Sequence, residues 1–194
     1  MPIIIFSLLV ILLISSCSKS TKPDEEVFIF ETIQFGDYQW RVLATEEDRA
    51  LIISLEVLER RSYKDEEYSA YYEYSDIRRY LNNGFYNSFS TADRERIYQV
   101  TNQNPDNPVW GTEGGNPTVD KIFLLSISEV EQYFSSNADR AAYYQGGRSM
   151  WWLRCPGDYW TKASYVHESG DINREGLYKE FPRGGVRPAM WIRI

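Results

Sequence analysis

Apolar and polar positions divide this chain into an uninterrupted hydrophobic start, a short polar stretch and a long region of short-period patterning. Ile3 to Ile14 is apolar apart from Ser7, and residues 18–26 (SKSTKPDEE) are polar and poor in large apolar groups. From Gln34 to Thr45 (QFGDYQWRVLAT) apolar residues alternate in part, the period of a strand with one buried face. The polar turn Glu46-Glu47-Asp48 and the apolar run Ala50 to Leu55 complete a predicted hairpin.

Helical signals follow. Ser75 is placed to cap a helix carrying Ile77, Tyr80 and Leu81 on one side, with Asn83-Gly84 as its stop. Ser90 with Asp93 predicts a capped turn through Ile97, and Ser126 with Glu129 a capping box for a helix through Phe134. Between Asn102 and Asp120 an Asn, Pro and Gly segment without periodicity predicts an ordered or functional loop. Lys121 to Ser126 (KIFLLS) reads as a buried strand, and short strands are expected at 151–154, 163–167, 170–173 and 186–192. The class is therefore α+β, short helices with a mainly antiparallel, Gly-rich C-terminal sheet.

The apolar start is too short to cross a hydrocarbon core of ~30 Å as a stable helix, and it fits a signal peptide over residues 1–16. Ile14-Ser15-Ser16-Cys17 looks like a lipobox, although no Lys or Arg precedes the apolar run. It implies cleavage before an acylated Cys17, a tether over 17–26, and one globular domain over 27–194 held outside the cytoplasm in a bacterial envelope. The lipid bilayer is then a partner through that cysteine, since two or more acyl chains anchor a protein stably.

A net charge of −7 argues against nucleic acid, which demands clustered Lys and Arg. With Cys17 lipidated, Cys155 has no partner for a disulfide and reads as a small buried residue. The single histidine, His167, is too few for a zinc site or a Ser-His-Asp triad and is expected to be exposed on a strand.

Several blocks carry a resemblance: FGDYQWRVL at 35–43, SDIRRYLN at 75–82, GTEGGNPTVDKIFLLSISEVEQYF at 111–134, WWLRCPG at 151–157, YVHESGDIN at 165–173 and GVRPAMWI at 185–192. Together they resemble an uncharacterised bacterial domain family, domain of unknown function 6273, whose members commonly close on WWLRSPG, YVxxxGxV and GVRPALWI. Cys155 stands where that pattern has Ser, and Tyr72 where it has Trp. The family is in turn similar to C-type-lectin-like domains of the sulfatase-modifying-factor type. Formylglycine-generating relatives need two redox-active cysteines, so that activity is not expected.

Candidate sites follow from residue chemistry. Arg154 and Arg187 read as guanidinium ties between loops, with anion clamping as the alternative. Trp151, Trp152 and Trp191 read as core, one of the adjacent pair facing outward on an alternating strand. Asn104, Asp106, Asn107, Asn116 and Asp120 crowd oxygen donors into one loop, the donor type that Ca²⁺ takes, although the same residues build turns. No other cofactor is expected. Asp158, Tyr159, Trp160, Tyr165, His167, Asp171 and Asn173 set aromatic faces beside amide and carboxylate groups, as a sugar- or peptide-binding surface does. Tyr63 to Tyr74, with five tyrosines among acids, is a second possible contact surface. The expectation is a non-catalytic envelope module that recognises a glycan or protein. The alternative is a hydrolase acting on cell-wall or extracellular carbohydrate through carboxylates such as Glu66, Glu67 and Glu73.

Overall fold

The computed structural model describes residues 30–64 and 71–194. The leader, Cys17, the tether, Glu66, Glu67 and Tyr68 lie outside the described residues.

Two sheets organise the chain. The first has the order β1 (Thr32–Phe35), β2 (Tyr38–Glu46), β3 (Arg49–Ser54), β13 (Ala189–Arg193), antiparallel throughout. The second runs β11 (Ile172–Tyr178), β10 (Lys162–Val166), β9 (Trp151–Pro156), β12 (Gly185–Val186), β4 (Glu59–Arg60), with one parallel pairing, β12 on β9. Two short ladders are added, β5 (Val100–Asn102) with β6 (Thr118–Asp120) and β7 (Ala142–Tyr144) with β8 (Gly147–Ser149). With the helices α1 (Asp76–Tyr80), α2 (Tyr86–Ser88), α3 (Thr91–Arg96), α4 (Ile127–Tyr133) and α5 (Asn137–Arg140), the architecture is α+β with antiparallel pairing dominant.

Local signals hold where hydrogen bonds are local. Ser75 and Ser90 accept the backbone N–H groups of Arg78 and Asp93, and Ser126 with Glu129 forms a full capping box. Five readings need correction. Gln34 to Thr45 is not one strand: Gly36, at φ +56°, turns β1 back on β2, and a Cβ there would sit 2.7 Å from the Phe89 ring. Asn83-Gly84 does not stop its helix, which widens through a π-helical turn (Leu81–Phe85) into α2. Asn82 compensates by donating to Arg78 O at 3.1 Å and Ile122 O at 2.9 Å while accepting from Lys121 N at 2.8 Å.

Lys121 to Ser126 is buried but makes no ladder beyond one bridge, Phe123 to Ala189. It threads between two core clusters, Ile122 and Leu124 entering one, Phe123 and Leu125 the other. The run 186–192 splits: Arg187-Pro188 carries the chain from the second sheet, at β12, to the first, at β13. Trp151 and Trp152 are both fully buried, because β9 is covered on its two faces. Their indole N–H groups donate to Arg140 O and Arg61 O, each at 3.1 Å, which removes the cost of burying them.

Candidate functional site

The recognisable closing blocks turn out to be framework. Arg154 is buried and every guanidinium nitrogen is engaged: Nε donates to Gln103 O at 3.0 Å, one terminal nitrogen to Leu124 O at 2.8 Å and to Glu129, the other to Glu129 Oε1 at 2.9 Å. Burial works against its charge, but the Glu129 carboxylate outweighs that and holds the guanidinium above its usual range. Arg187 is buried without a carboxylate on it among the described residues. It donates to Ser54 O at 2.9 Å and Leu55 O at 3.3 Å and lies between the rings of Trp151 and Phe134. Cys155 is buried, its sulfur facing the Ile127 amide, and burial pushes the thiol up to about 11.

Past β9 the chain reaches the sequence-predicted surface. Gly157 is forced by space, since a Cβ there would meet Glu175 O at 2.3 Å. Asp158 donates its amide to Glu175 O at 2.8 Å, accepts the Thr112 hydroxyl on its carbonyl at 3.0 Å, and holds Lys162 Nζ 3.2 Å from its carboxylate. On this frame stand Tyr159 and Trp160, 58% and 38% exposed, their ring centroids 5.7 Å apart and tilted by 45°.

The remaining predicted residues are not brought to the same place. Tyr165 is half-buried, edge-on to Trp152 at 6.3 Å, and Asn173 spends its side-chain oxygen on the Gly176 amide at 2.8 Å. His167 and Asp171 are exposed at the opposite end of β10, in the turn rather than on the strand. At about 3.3 Å per residue, that end is roughly 15 Å from Trp160. There Ser169 links the two, its hydroxyl 2.8 Å from His167 Nδ1 and donating to Asp171 at 2.6 Å. That hydroxyl, against a smaller burial penalty and with help from Asn137, holds the Asp171 carboxyl below its usual range.

Sequence reasoning missed the partners of Tyr159 and Trp160. Lys179 Nζ donates to Trp160 O at 2.7 Å and its amide to Thr161 O, which brings up the neighbouring Tyr178, 59% exposed, and Phe181, 36% exposed. The turn of residues 107–112 docks beside them through Asn107, whose amide donates to Pro156 O at 2.9 Å and Arg174 O at 2.8 Å. It exposes Val109 and Trp110. An apolar pair inside a loop otherwise rich in Asn, Pro and Gly was the available signal.

The oxygens proposed for Ca²⁺ are largely engaged by the protein. Asp120 accepts from Arg78, Asn82, Asn102 and Thr118; Asn107 from the amides of Val109 and Trp110; Asp106 from Gly114. Asn104 donates its amide to the Asn116 carbonyl at 2.5 Å, while its own Oδ1 is buried without a hydrogen-bond partner among the described residues. Among the described residues no three His, Cys, Asp or Glu side chains group to hold a metal. Of the three glutamates considered for hydrolysis, Glu73 accepts from Asn116 at 3.2 Å and the others lie outside the described residues.

Residues 47–194 match a protein family described as Domain of unknown function (DUF6273). No curated protein and no solved structure matches the chain.

Proposed function

From the premise that this chain belongs to the DUF6273 family, we propose that it is a non-catalytic binding module, lipid-anchored outside the cytoplasm through Cys17, that recognises a protein partner through the aromatic end of the β10–β11 hairpin. The observation that carries this reading is the Tyr159–Trp160 ring pair standing in solvent on a tightly hydrogen-bonded frame, with exposed Tyr178 and Phe181 on the segment that Lys179 ties to it. Rings left in water contribute little to folding, and contiguous exposed apolar surface marks an interaction site. Tyr and Trp are enriched at the centres of protein interfaces.

The 45° tilt between Tyr159 and Trp160 supports a protein rather than a linear glycan, which lies best across rings sharing one plane. Binding without catalysis is supported by the chemistry-bearing side chains: His167 is tied into a turn, Arg154 is committed to Glu129, and the Cys155 thiol is buried and protonated. The anchor rests on the Ser-Ser-Cys end of the apolar leader. The reading includes a C-type-lectin-like fold, supported by the resemblance of the closing blocks and by short helices set against antiparallel-rich sheets.

The test is photo-crosslinking in cells from position 159, with position 148, exposed on β8, as control. A discrete protein adduct from 159 alone, lost on Trp160→Ala, is expected. An adduct indifferent to Trp160→Ala sinks the reading; a glycan adduct turns it to carbohydrate, and product formation in the same mixtures turns it to an enzyme. Labelling with an acyl analogue should mark the wild type and not Cys17→Ala.

A further inference from the structure

A recess of about 590 Å³ opens between β3, the 99–105 segment, α4 and β13, and none of its lining residues belongs to the aromatic end of the hairpin. Its size falls in the range of about 300–1,000 Å³ typical of small-molecule sites. Leu51 and Phe123, both buried, line it together with the Arg154–Glu129 pair.

The charges in this recess are already balanced. Arg154 has no uncommitted nitrogen for an anion, and Arg49 is paired with Glu46 at 2.6 Å. Glu129 Oε2 is taken up by Ser126 and Arg154, whereas Oε1 accepts from Arg154 and keeps lone-pair capacity beside the recess. Around it stand the Ser128 hydroxyl, the Tyr133 phenol and the exposed amides of Gln99 and Gln103. Burial, and then the carboxylates of Glu129 and Glu46, push the Tyr133 hydroxyl above its usual range, so it stays a neutral donor. These are groups for hydroxyls and amides, not for a charged ligand.

One wall is the indole of Trp191, half-buried, with the Arg49 guanidinium 4.5 Å from its centroid. Moving the guanidinium off the ring gives up one partly exposed cation–π contact and an exposed ion pair, each of small worth. The strand edge beside Trp191 is closed to an extended peptide: Tyr98 N donates to Trp191 O at 2.9 Å, and bridges join Ile97 to Ile192 and Phe123 to Ala189.

We propose that this recess is a second ligand site that takes a short uncharged oligosaccharide, one sugar ring stacking on Trp191 in place of Arg49 while its hydroxyls bond Glu129, Ser128 and Tyr133. The experiment titrates the full chain, in a zwitterionic detergent that carries no sugar, with N,N′,N″-triacetylchitotriose, cellotriose and maltotriose, followed by tryptophan fluorescence and calorimetry. Saturable binding of at least one trisaccharide is expected. Ser128→Trp, which fills the mouth from an exposed helical position, should weaken it about tenfold or more, as should Trp191→Ala. Arg49→Ala should leave it equal or tighter, and Trp160→Ala should leave it unchanged. No saturable binding in the millimolar range, indifference to Ser128→Trp, or sensitivity to Trp160→Ala overturns the proposal. None of these outcomes touches the crosslinking result at position 159.

Discussion

Arg154 and Glu129 meet through both oxygens of the carboxylate, and Oε2 also accepts the Ser126 amide at 2.7 Å. The group that caps α4 is therefore the counter-ion of the central strand β9. Because Arg154 is nearly inaccessible and Glu129 keeps about a quarter of its side-chain surface (3% against 24% exposed), the two partners are not equivalent. Losing the acid strands a buried cation; losing the base leaves a carboxylate that water still reaches.

Glu129→Gln should therefore destabilise the protein by roughly 3–5 kcal/mol, the cost of leaving a buried charge unpaired. Arg154→Met should cost less, and the double variant should show strong coupling in a cycle. Urea denaturation measures all three. A loss below about 1 kcal/mol in Glu129→Gln would show that the pair is not the clamp between α4 and β9.

Arg187 presents the opposite case, a buried cation with no carboxylate on it among the described residues. Burial first, and then the charge of Arg41, lowers it to about 9, while Asp139 works the other way. Its hydrogen bonds to Ser54 O and Leu55 O tie the crossover between the sheets to the end of β3. Arg187→Ala leaves those carbonyls and a cavity beside Trp151, for a loss of roughly 2–4 kcal/mol. Arg187→Met, which keeps most of the volume and sheds the charge, should lose less. An unchanged unfolding midpoint in Arg187→Ala would show that the crossover does not depend on it.

Lys179 sets a pH dependence. Its burial, and then Lys64, lower the ammonium to about 8, against an ordinary value of 10.5. Between those values the unfolded chain binds more protons at this position than the native one, so stability should rise with pH from about 8 to about 10. The slope is on the order of 1 kcal/mol per pH unit. Below pH 8 both states carry the charge and the contribution is flat. Arg187 adds in the same direction, whereas Tyr63 and Tyr72, raised first by burial, reverse the trend above pH 10. Lys179→Met should flatten the rise, and an identical slope in that variant, measured by urea melts across pH 7.5–10, would remove Lys179 as its source.

Much of the local structure was legible in the sequence. Ser126 with Glu129, Ser90 with Asp93 and the turn after Glu46 are decided within three or four residues, where a side chain reaches its own backbone before any tertiary contact exists. The α+β class and the family blocks were legible in the same way. Tertiary structure alone decided that both Trp151 and Trp152 are buried, because alternation predicts which face a side chain takes, not whether the second face is covered. It alone gave Lys121 to Ser126 a buried path without a ladder, and it separated Trp160 from His167 by the length of a strand. The recess was invisible for the same reason. Its walls come from five stretches of chain, and the bond that holds the crossover spans 133 residues, a distance over which no local pattern carries information.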